Sequence, residues 1–173
     1  MQLSRARVTN YRSIDDSGWV SLDNVTCMVG KNESGKTAFL QALRRLNPVG
    51  GVGGTFDLRD YPRKGYVRYK RRHEDEPATV VQAEFELTED EIEELENEFG
   101  QGVLRSSIVV ASKNYKNQRN WSVDIDEGAV VRYVIASANL PHEVLQFVGE
   151  ADSWETLQAQ LNRIDIKPPS VQQ

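Results

Sequence analysis

Cysteine and long apolar runs are both scarce in this sequence of 173 residues. The single cysteine, Cys27, cannot form an internal disulfide, and no group of cysteine and histidine residues has the spacing of a zinc site. We therefore expect a reducing compartment, the cytoplasm, and no structural metal. The apolar runs fall far short of the roughly 20 residues that a membrane span needs, and the N-terminus lacks a signal-peptide stretch. The sequence therefore predicts a chain that is neither exported nor embedded in a membrane.

Positive charge is also in deficit, with 21 Lys and Arg against 26 Asp and Glu and a net charge of −5. This balance disfavours proteins that coat nucleic acid through bulk positive charge, although it is compatible with a local basic site. An apolar content of 39% and a charged content of 27% exclude disordered and fibrous classes. Because domains commonly span about 100–200 residues, we expect one globular domain over residues 1–173.

The first third of the chain shows strand patterns that give way to a helix. Residues 3–11 and 19–22 alternate between apolar and polar types, and residues 15–18 between them are turn formers, which predicts a hairpin. Residues 25–29 form an apolar, β-branched run that predicts a strand buried on both faces. Apolar residues then recur at helical spacing over residues 37–46, which predicts a helix that ends at Asn47.

Strand and helix patterns alternate after a glycine-rich loop at residues 49–55. Four segments carry the apolar or β-branched runs typical of strands: 78–87, 107–111, 121–125 and 129–135. Asp126, Glu127 and Gly128 predict a turn into the last of these strands. Helices are expected at 88–99, where a run of acids forms the solvated face, from Pro141 onward, and at the end of the chain. The last helix carries an apolar stripe that we expect to pack against the domain's own sheet: Trp154, Leu157, Leu161 and Ile164.

One motif carries chemistry. Residues 30–37, Gly-Lys-Asn-Glu-Ser-Gly-Lys-Thr, match the phosphate-binding pattern G-x-x-x-x-G-K-[ST], and roughly 0.004 chance matches are expected in a chain of this composition. Glycines let phosphate oxygens approach the backbone amides, and the following helix points its positive end at the anion. Lys36, also the catalytic candidate, would neutralise the β- and γ-phosphates, and Thr37 would bind Mg²⁺. The predicted nucleotide-binding residues of the motif are Gly30, Asn32, Glu33, Ser34, Gly35, Lys36, Thr37 and Ala38.

The surrounding sequence bears on which class of P-loop protein this is. A GTPase needs D-x-x-G after its P-loop and N-K-x-D after a late strand, whereas Asp15-x-x-Gly18 precedes the motif and residues 162–165 lie on a predicted helix. A small-molecule kinase usually opens directly with its P-loop strand, whereas residues 1–29 precede Gly30 here. The basic stretch 63–72 keeps a kinase open as an alternative, because it could form an arginine-rich lid.

Residues 7–14 (Arg-Val-Thr-Asn-Tyr-Arg-Ser-Ile) and 25–43, which include the P-loop, resemble the N-terminal part of ABC-type ATPase heads. The likeness is strongest to OLD-like (overcoming lysogenization defect) nuclease ATPases and to SMC-related AAA family ATPases, and it covers residues 1–48. The resemblance implies an α/β P-loop NTPase lobe with a mixed central sheet and an antiparallel β portion. It also implies Mg²⁺ and ATP bound between two heads, with Arg12 and Ser13 beside the nucleotide, in DNA repair or phage defence.

Several parts of such a head are missing from the sequence. No run of four apolar residues ends in the Asp-Glu of a Walker B strand, and no LSGGQ-like signature or switch histidine is present. Asp126-Glu127 is better explained by a turn, because Gly128 follows it. Without a carboxylate that orients the attacking water, turnover should be slow or absent. We therefore expect an ATPase that is incomplete by itself and needs a second head or a C-terminal lobe as its partner.

The basic stretch 63–72 has six positive residues interleaved with Tyr66 and Tyr69. Cations with interleaved aromatic residues suit phosphate contact and base stacking, which makes DNA a candidate partner of this stretch. A solvated loop is the commoner role of such charge runs. A DNA-binding regulatory fragment is therefore a further alternative to the ATPase hypothesis.

Overall fold

The computed structural model describes residues 1–31, 34–51 and 53–163. Five strands form one sheet in the order β2-β1-β3-β4-β5: β1 (Gln2–Tyr11), β2 (Ile14–Ser21), β3 (Thr79–Glu86), β4 (Leu104–Asn114) and β5 (Arg119–Ile125). Within these ranges, six α-helices accompany it: α1 (Lys36–Leu46), α2 (Tyr66–Arg72), α3 (Glu89–Phe99), α4 (Glu127–Ser137), α5 (His142–Val148) and α6 (Trp154–Leu161). Across these described residues, no helix combines the length and the apolar character that crossing a membrane requires.

The described chain gathers into two compact units. Unit 1 comprises Met1–Thr88 and Ser107–Val123 and holds most of the sheet with α1 and α2. Unit 2 comprises Glu89–Ser106 and the chain from Asp124 onward, with α3 to α6. That residues 1–173 act as a single domain stays a prediction.

The predicted hairpin forms, but its turn lies elsewhere. The chain reverses at Arg12 and Ser13, and β1 pairs antiparallel with β2 on one side and with β3 on the other. Asn10 and Arg12 both have φ 52, the left-handed conformation that such a tight reversal needs. The turn-forming residues 15–18 lie instead inside β2, where the register with β1 shifts and the Ser17 hydroxyl accepts the Val8 N–H at 2.9 Å. Their composition therefore marks a bulge and not the turn.

Helix α1 confirms the predicted helix after the P-loop. Ala38, Phe39, Ala42 and Leu46 are its buried residues, and it belongs to the same core cluster as Ala6 and Val8 of β1. The same core contains four tyrosines and a phenylalanine, beside aliphatic residues of β2, β3 and β4: Tyr11, Phe56, Tyr61, Tyr69 and Tyr115. Such rings bury large areas and contribute strongly to the stability of unit 1.

The expected strand at residues 25–29 is wrong. Within the described ranges these residues belong to no strand, and Val25 and Val29 are each 90% exposed. An apolar, β-branched run forms a strand only where a neighbouring strand takes its hydrogen bonds, and none of the described strands pairs with residues 25–29. The predicted mixed central sheet is therefore not formed by the described residues, whose sheet is antiparallel.

The expected turn and strand at residues 126–135 are also wrong. Asp126 is the N-cap of α4, because its Oδ1 accepts the Ala129 N–H at 2.9 Å. Val131 and Ile135, one helical turn apart, are buried in the core of unit 2. The run of β-branched residues favoured a strand, but the cap and this four-residue spacing decide for a helix.

The remaining elements largely follow the predictions. Strands β3, β4 and β5 and helices α3 and α5 form where the patterns place them. The predicted packing of the terminal stripe on the sheet is wrong, because Leu157 of α6 lies in a cluster with Val131 and Val148 of α4 and α5. Trp154 and Leu161 of the stripe are exposed, and Ile164 lies outside the described residues.

Candidate functional site

Two glycines shape the start of α1. Gly35 is the N-cap of the helix with φ +85, and its carbonyl accepts the Phe39 N–H at 2.8 Å. A Cβ at Gly35 would lie 2.9 Å from a side-chain carbon of Ile14, and one at Gly30 would lie 3.1 Å from the Ser34 hydroxyl. The loop and the β1–β2 turn therefore approach each other at a distance that only glycine allows.

The Lys36 ammonium group lies within the curve of this loop. Its Nζ donates to the carbonyl oxygens of Gly30 and Lys31, each at 2.6 Å, and lies 3.2 Å from the Ser34 hydroxyl. The Ser34 N–H in turn donates to the Lys31 carbonyl at 3.0 Å. A positive charge and the N-terminal end of a helix thus occupy the same place, which is the arrangement that attracts a phosphate group.

An open cleft of about 820 Å³ adjoins this charge. Its walls come from β2, from residues 26–29 and from the P-loop, and include Asp16, Val20, Met28 and Lys36. The space is sufficient for a nucleotide, since ligand sites of about 300–1,000 Å³ are usual.

The other predicted site residues differ in their exposure and in their position relative to the cleft. Thr37 is exposed in the first turn of α1, whereas the Ala38 side chain is buried in the core. Asn32 and Glu33 lie outside the described residues. Ser13 lines the cleft, and its hydroxyl lies 3.5 Å from the position that a Cβ on Gly35 would take.

Arg12 is engaged away from the cleft lining. Its backbone N–H donates to the Asp60 carbonyl at 2.6 Å, its Nε donates to Asp60 Oδ1 at 3.0 Å, and its guanidinium also bonds Gln41. Arg45 donates to the other oxygen of Asp60 at 2.8 Å. This network ties the β1–β2 turn to α1, the helix that follows the P-loop.

Asp60 is a residue to which sequence reasoning assigned no role. Burial by itself would raise the pKa of Asp60, but hydrogen bonds from Arg45 and Arg12, together with their charges, outweigh burial and leave this pKa below its ordinary value. The carboxylate therefore stays ionised and holds both arginines. No local sequence signal reveals it, because its partners lie 15 and 48 residues away.

Asp16 lies at the wall of the cleft, and its pKa gives a prediction about how stability depends on pH. Hydrogen bonds from Arg7 and the Gly18 N–H lower the pKa of Asp16 to about 2. The folded-state pKa thus lies below the unfolded value of about 3.9, so the stabilisation is present above that value and is lost as the pH falls towards 2. In Arg7→Gln we expect the Asp16 pKa to rise part of the way, since the Gly18 bond remains. A carbon-13 NMR titration of the carboxyl group checks this, and an unchanged pKa would contradict the pairing.

The two acids that come nearest to a Walker B pair in the sequence have structural roles in unit 2. Asp126 caps α4, and Glu127 Oε1 accepts the Trp154 N–H at 2.9 Å, which places it at the start of α6. This observation agrees with the prediction that Asp126-Glu127 is not a catalytic pair, although the element that it begins is a helix.

The predicted roles of Tyr69 and of the stretch 63–72 change with the structure. Tyr69 is only 1% exposed, its ring stacks on Tyr61 at 4.1 Å, and its hydroxyl accepts the Ala78 N–H at 2.8 Å. Base stacking on Tyr69 is therefore wrong. These contacts of Tyr69 hold α2 against the core of unit 1. A kinase lid has to move, so a helix fixed in this way is unfavourable for that role.

The glycine-shaped loop, the lysine within it and the helix behind it define a candidate phosphate-binding site. A family model described as the AAA ATPase domain matches residues 1–127, well over half of the chain, so the chain belongs to this family of ATPases. Membership indicates ATP binding and, as is usual for such domains, the use of Mg²⁺. None of the curated proteins matches the chain.

Proposed function

We propose that the chain binds Mg²⁺ and ATP through residues 30–38 as the N-terminal lobe of an ABC-type ATPase head, most similar to OLD-like and SMC-related ATPases. One observation carries the proposal: the Lys36 ammonium lies within the loop in front of α1, 2.6 Å from two loop carbonyls. Phosphate oxygens offer this ammonium a stronger, charged partner than those carbonyls do. Ser13 contributes from the β1–β2 turn, and Arg12 holds that turn against α1.

The described residues fit the nucleotide and its metal ion. A Cβ on Gly35 would clash with Ile14 and one on Gly30 would crowd the Ser34 hydroxyl, and the cleft beside Lys36 is open to solvent. Thr37 is exposed one residue after Lys36, where its hydroxyl would serve as a ligand of Mg²⁺. When bound, Mg²⁺ neutralises charge on the phosphates, and this chain's groups orient them.

The chain is an incomplete catalyst in this proposal. The sequence lacks a Walker B strand. The Asp-Glu pair that comes closest to the Walker B pattern, Asp126-Glu127, has structural roles, because Asp126 caps α4 and Glu127 accepts the Trp154 N–H. Residues 25–29 expose Val25 and Val29 next to the P-loop, which supports a C-terminal lobe or a second head that supplies a pairing strand together with the missing carboxylate. ATP would then control the association of two heads, in DNA repair or phage defence.

A hydrolysis assay tests this incompleteness. The purified chain with Mg²⁺ and ATP should release phosphate no faster than the Lys36→Ala variant, because the sequence lacks the Walker B motif whose carboxylate would activate water. Release well above that control would contradict the proposal and show that a carboxylate within this chain is catalytic. The same assay with added phosphoryl acceptors should form no ADP, whereas transfer to an acceptor would favour the kinase alternative.

A further inference from the structure

A separate surface of unit 1 carries concentrated positive charge. Six exposed cations lie within 13 residues along and just before α2, and we call them the α2 basic surface: Arg59, Arg63, Lys64, Arg68, Lys70 and Arg71. Within the part of the chain that the structure describes, none of these six forms an ion pair with a carboxylate. Their charge is therefore available to an outside partner, in a protein whose net charge is −5.

The helix separates these cations from its core-facing side. Tyr66, Tyr69 and His73 lie three and four residues apart and face inward, with the Tyr69 hydroxyl 2.9 Å from the His73 ring. Arg68 and Arg71 fall on the opposite arc, and the exposed Lys70 lies on the flank of the helix beside Tyr66. Because Tyr69 is anchored in the core, the backbone that bears these charges is held in place.

Most of the acidic residues near the α2 basic surface pair with cations outside it. Asp60 holds Arg12 and Arg45, and Glu74 pairs with Lys116 at 3.1 Å. Glu76 lies 3.7 Å from Arg72, a cation outside the six, and Asp75 follows the end of the helix. The α2 basic surface thus keeps an excess of positive charge over its own neighbourhood.

We propose that the α2 basic surface binds the phosphate backbone of duplex nucleic acid. The seven-residue helix is about 10 Å long, and a duplex presents about six phosphate charges over that length. A lipid surface is disfavoured because Val67 is the one exposed apolar residue of α2, whereas interfacial helices bury a broad apolar face. An acidic protein segment carries a lower density of charge than a duplex does.

The burial of Tyr69 favours duplex over single-stranded nucleic acid as the partner of the α2 basic surface. Proteins that prefer single strands stack bases on exposed aromatic rings. Tyr69 is 1% exposed and Tyr66 is partly buried against the core, so neither ring of α2 is fully exposed for stacking. Recognition therefore depends on phosphates alone, and it is independent of sequence and strongly dependent on salt.

Fluorescence anisotropy with a labelled 30-base-pair duplex, and with a single strand of equal length, tests the proposal at several NaCl concentrations. We expect duplex affinity to fall linearly with salt on logarithmic axes. The Arg68→Gln/Arg71→Gln variant should bind about tenfold or more weakly at low salt, with a slope smaller by about two, because each phosphate contact contributes about 0.9. The matched control Arg44→Gln/Arg132→Gln removes two exposed charges elsewhere and should bind as the unmodified chain does.

Other results would overturn the proposal. Equal losses in both double variants would show that only net charge matters, and tighter binding of the single strand would contradict the phosphate-only mode. Equal competition by polyglutamate would identify acidic protein as the partner, and retention by vesicles of anionic lipid would identify a membrane surface. Mg·ATP affinity, measured on the same variants, should stay unchanged, so failure here leaves the proposed nucleotide site untouched.

Discussion

Replacing Tyr69 with alanine is expected to lower the free energy of unfolding of unit 1 by about 3–5 kcal/mol, the usual cost of removing a buried aromatic side chain. Tyr69 is 1% exposed, stacks on Tyr61 at 4.1 Å and approaches Tyr115 at 5.6 Å. Its hydroxyl also accepts the Ala78 N–H that precedes β3. The substitution removes the ring contacts and leaves that N–H without its acceptor.

Urea denaturation followed by tryptophan fluorescence measures this loss. Tyr69→Phe keeps the ring and removes the hydroxyl, so it should cost about 1–3 kcal/mol, the penalty of an unsatisfied buried group. Val67→Ala, on the same helix but 68% exposed, is the matched control and should change stability by less than about 0.5 kcal/mol. A Tyr69→Ala variant as stable as the control would show that α2 is not anchored in the core.

Replacing Gly35 with alanine is expected to abolish most of the affinity for Mg·ATP. Gly35 has φ +85, a conformation that costs other residues roughly 1–2 kcal/mol. The new Cβ would also lie 2.9 Å from Ile14, so the loop or the β1–β2 turn must move. Since 1.4 kcal/mol corresponds to a tenfold change, we expect affinity to fall by about tenfold or more.

Gly102→Ala is the matched control for this loss. Gly102 has φ +71 but no atom within 4 Å of the added Cβ, and it belongs to unit 2. It should therefore reproduce the backbone strain without changing nucleotide affinity. Equal nucleotide affinity in the Gly35 and Gly102 variants, both shown to be folded by circular dichroism, would contradict the assigned role of Gly35.

The sequence predicts best where local chemistry decides the structure. The spacing of Ala38, Phe39, Ala42 and Leu46 identifies the buried face of α1, because helical periodicity is a local property. The P-loop motif likewise predicts a glycine-bounded loop followed by a helix, and the structure has Gly35 at the N-cap of α1 with the Lys36 ammonium within the loop, since the requirements for phosphate binding are set by a few adjacent residues. These local patterns were sufficient to propose the nucleotide site.

Prediction fails where distant partners decide the outcome. Residues 25–29 have the composition of a strand, but a strand also requires a pairing partner, and no described strand pairs with them. Tyr69 has the spacing of an exposed stacking residue, but contacts with Tyr61 and Ala78 bury it. Asp60 gains its role from Arg12 and Arg45, which its own sequence neighbourhood does not reveal. In each case the deciding energy comes from tertiary contacts.

Calorimetric titration of the purified chain with Mg·ATP tests the central claim most directly. We expect binding that is at least about tenfold weaker in Lys36→Ala, because a hydrogen bond to a charged group contributes about 1.5–3 kcal/mol. Thr37→Ala should weaken binding more with Mg²⁺ than with EDTA, and Mg·GTP should bind more weakly than Mg·ATP. Binding that survives Lys36→Ala unchanged would contradict the account, because the nucleotide would then lie outside the loop at residues 30–37.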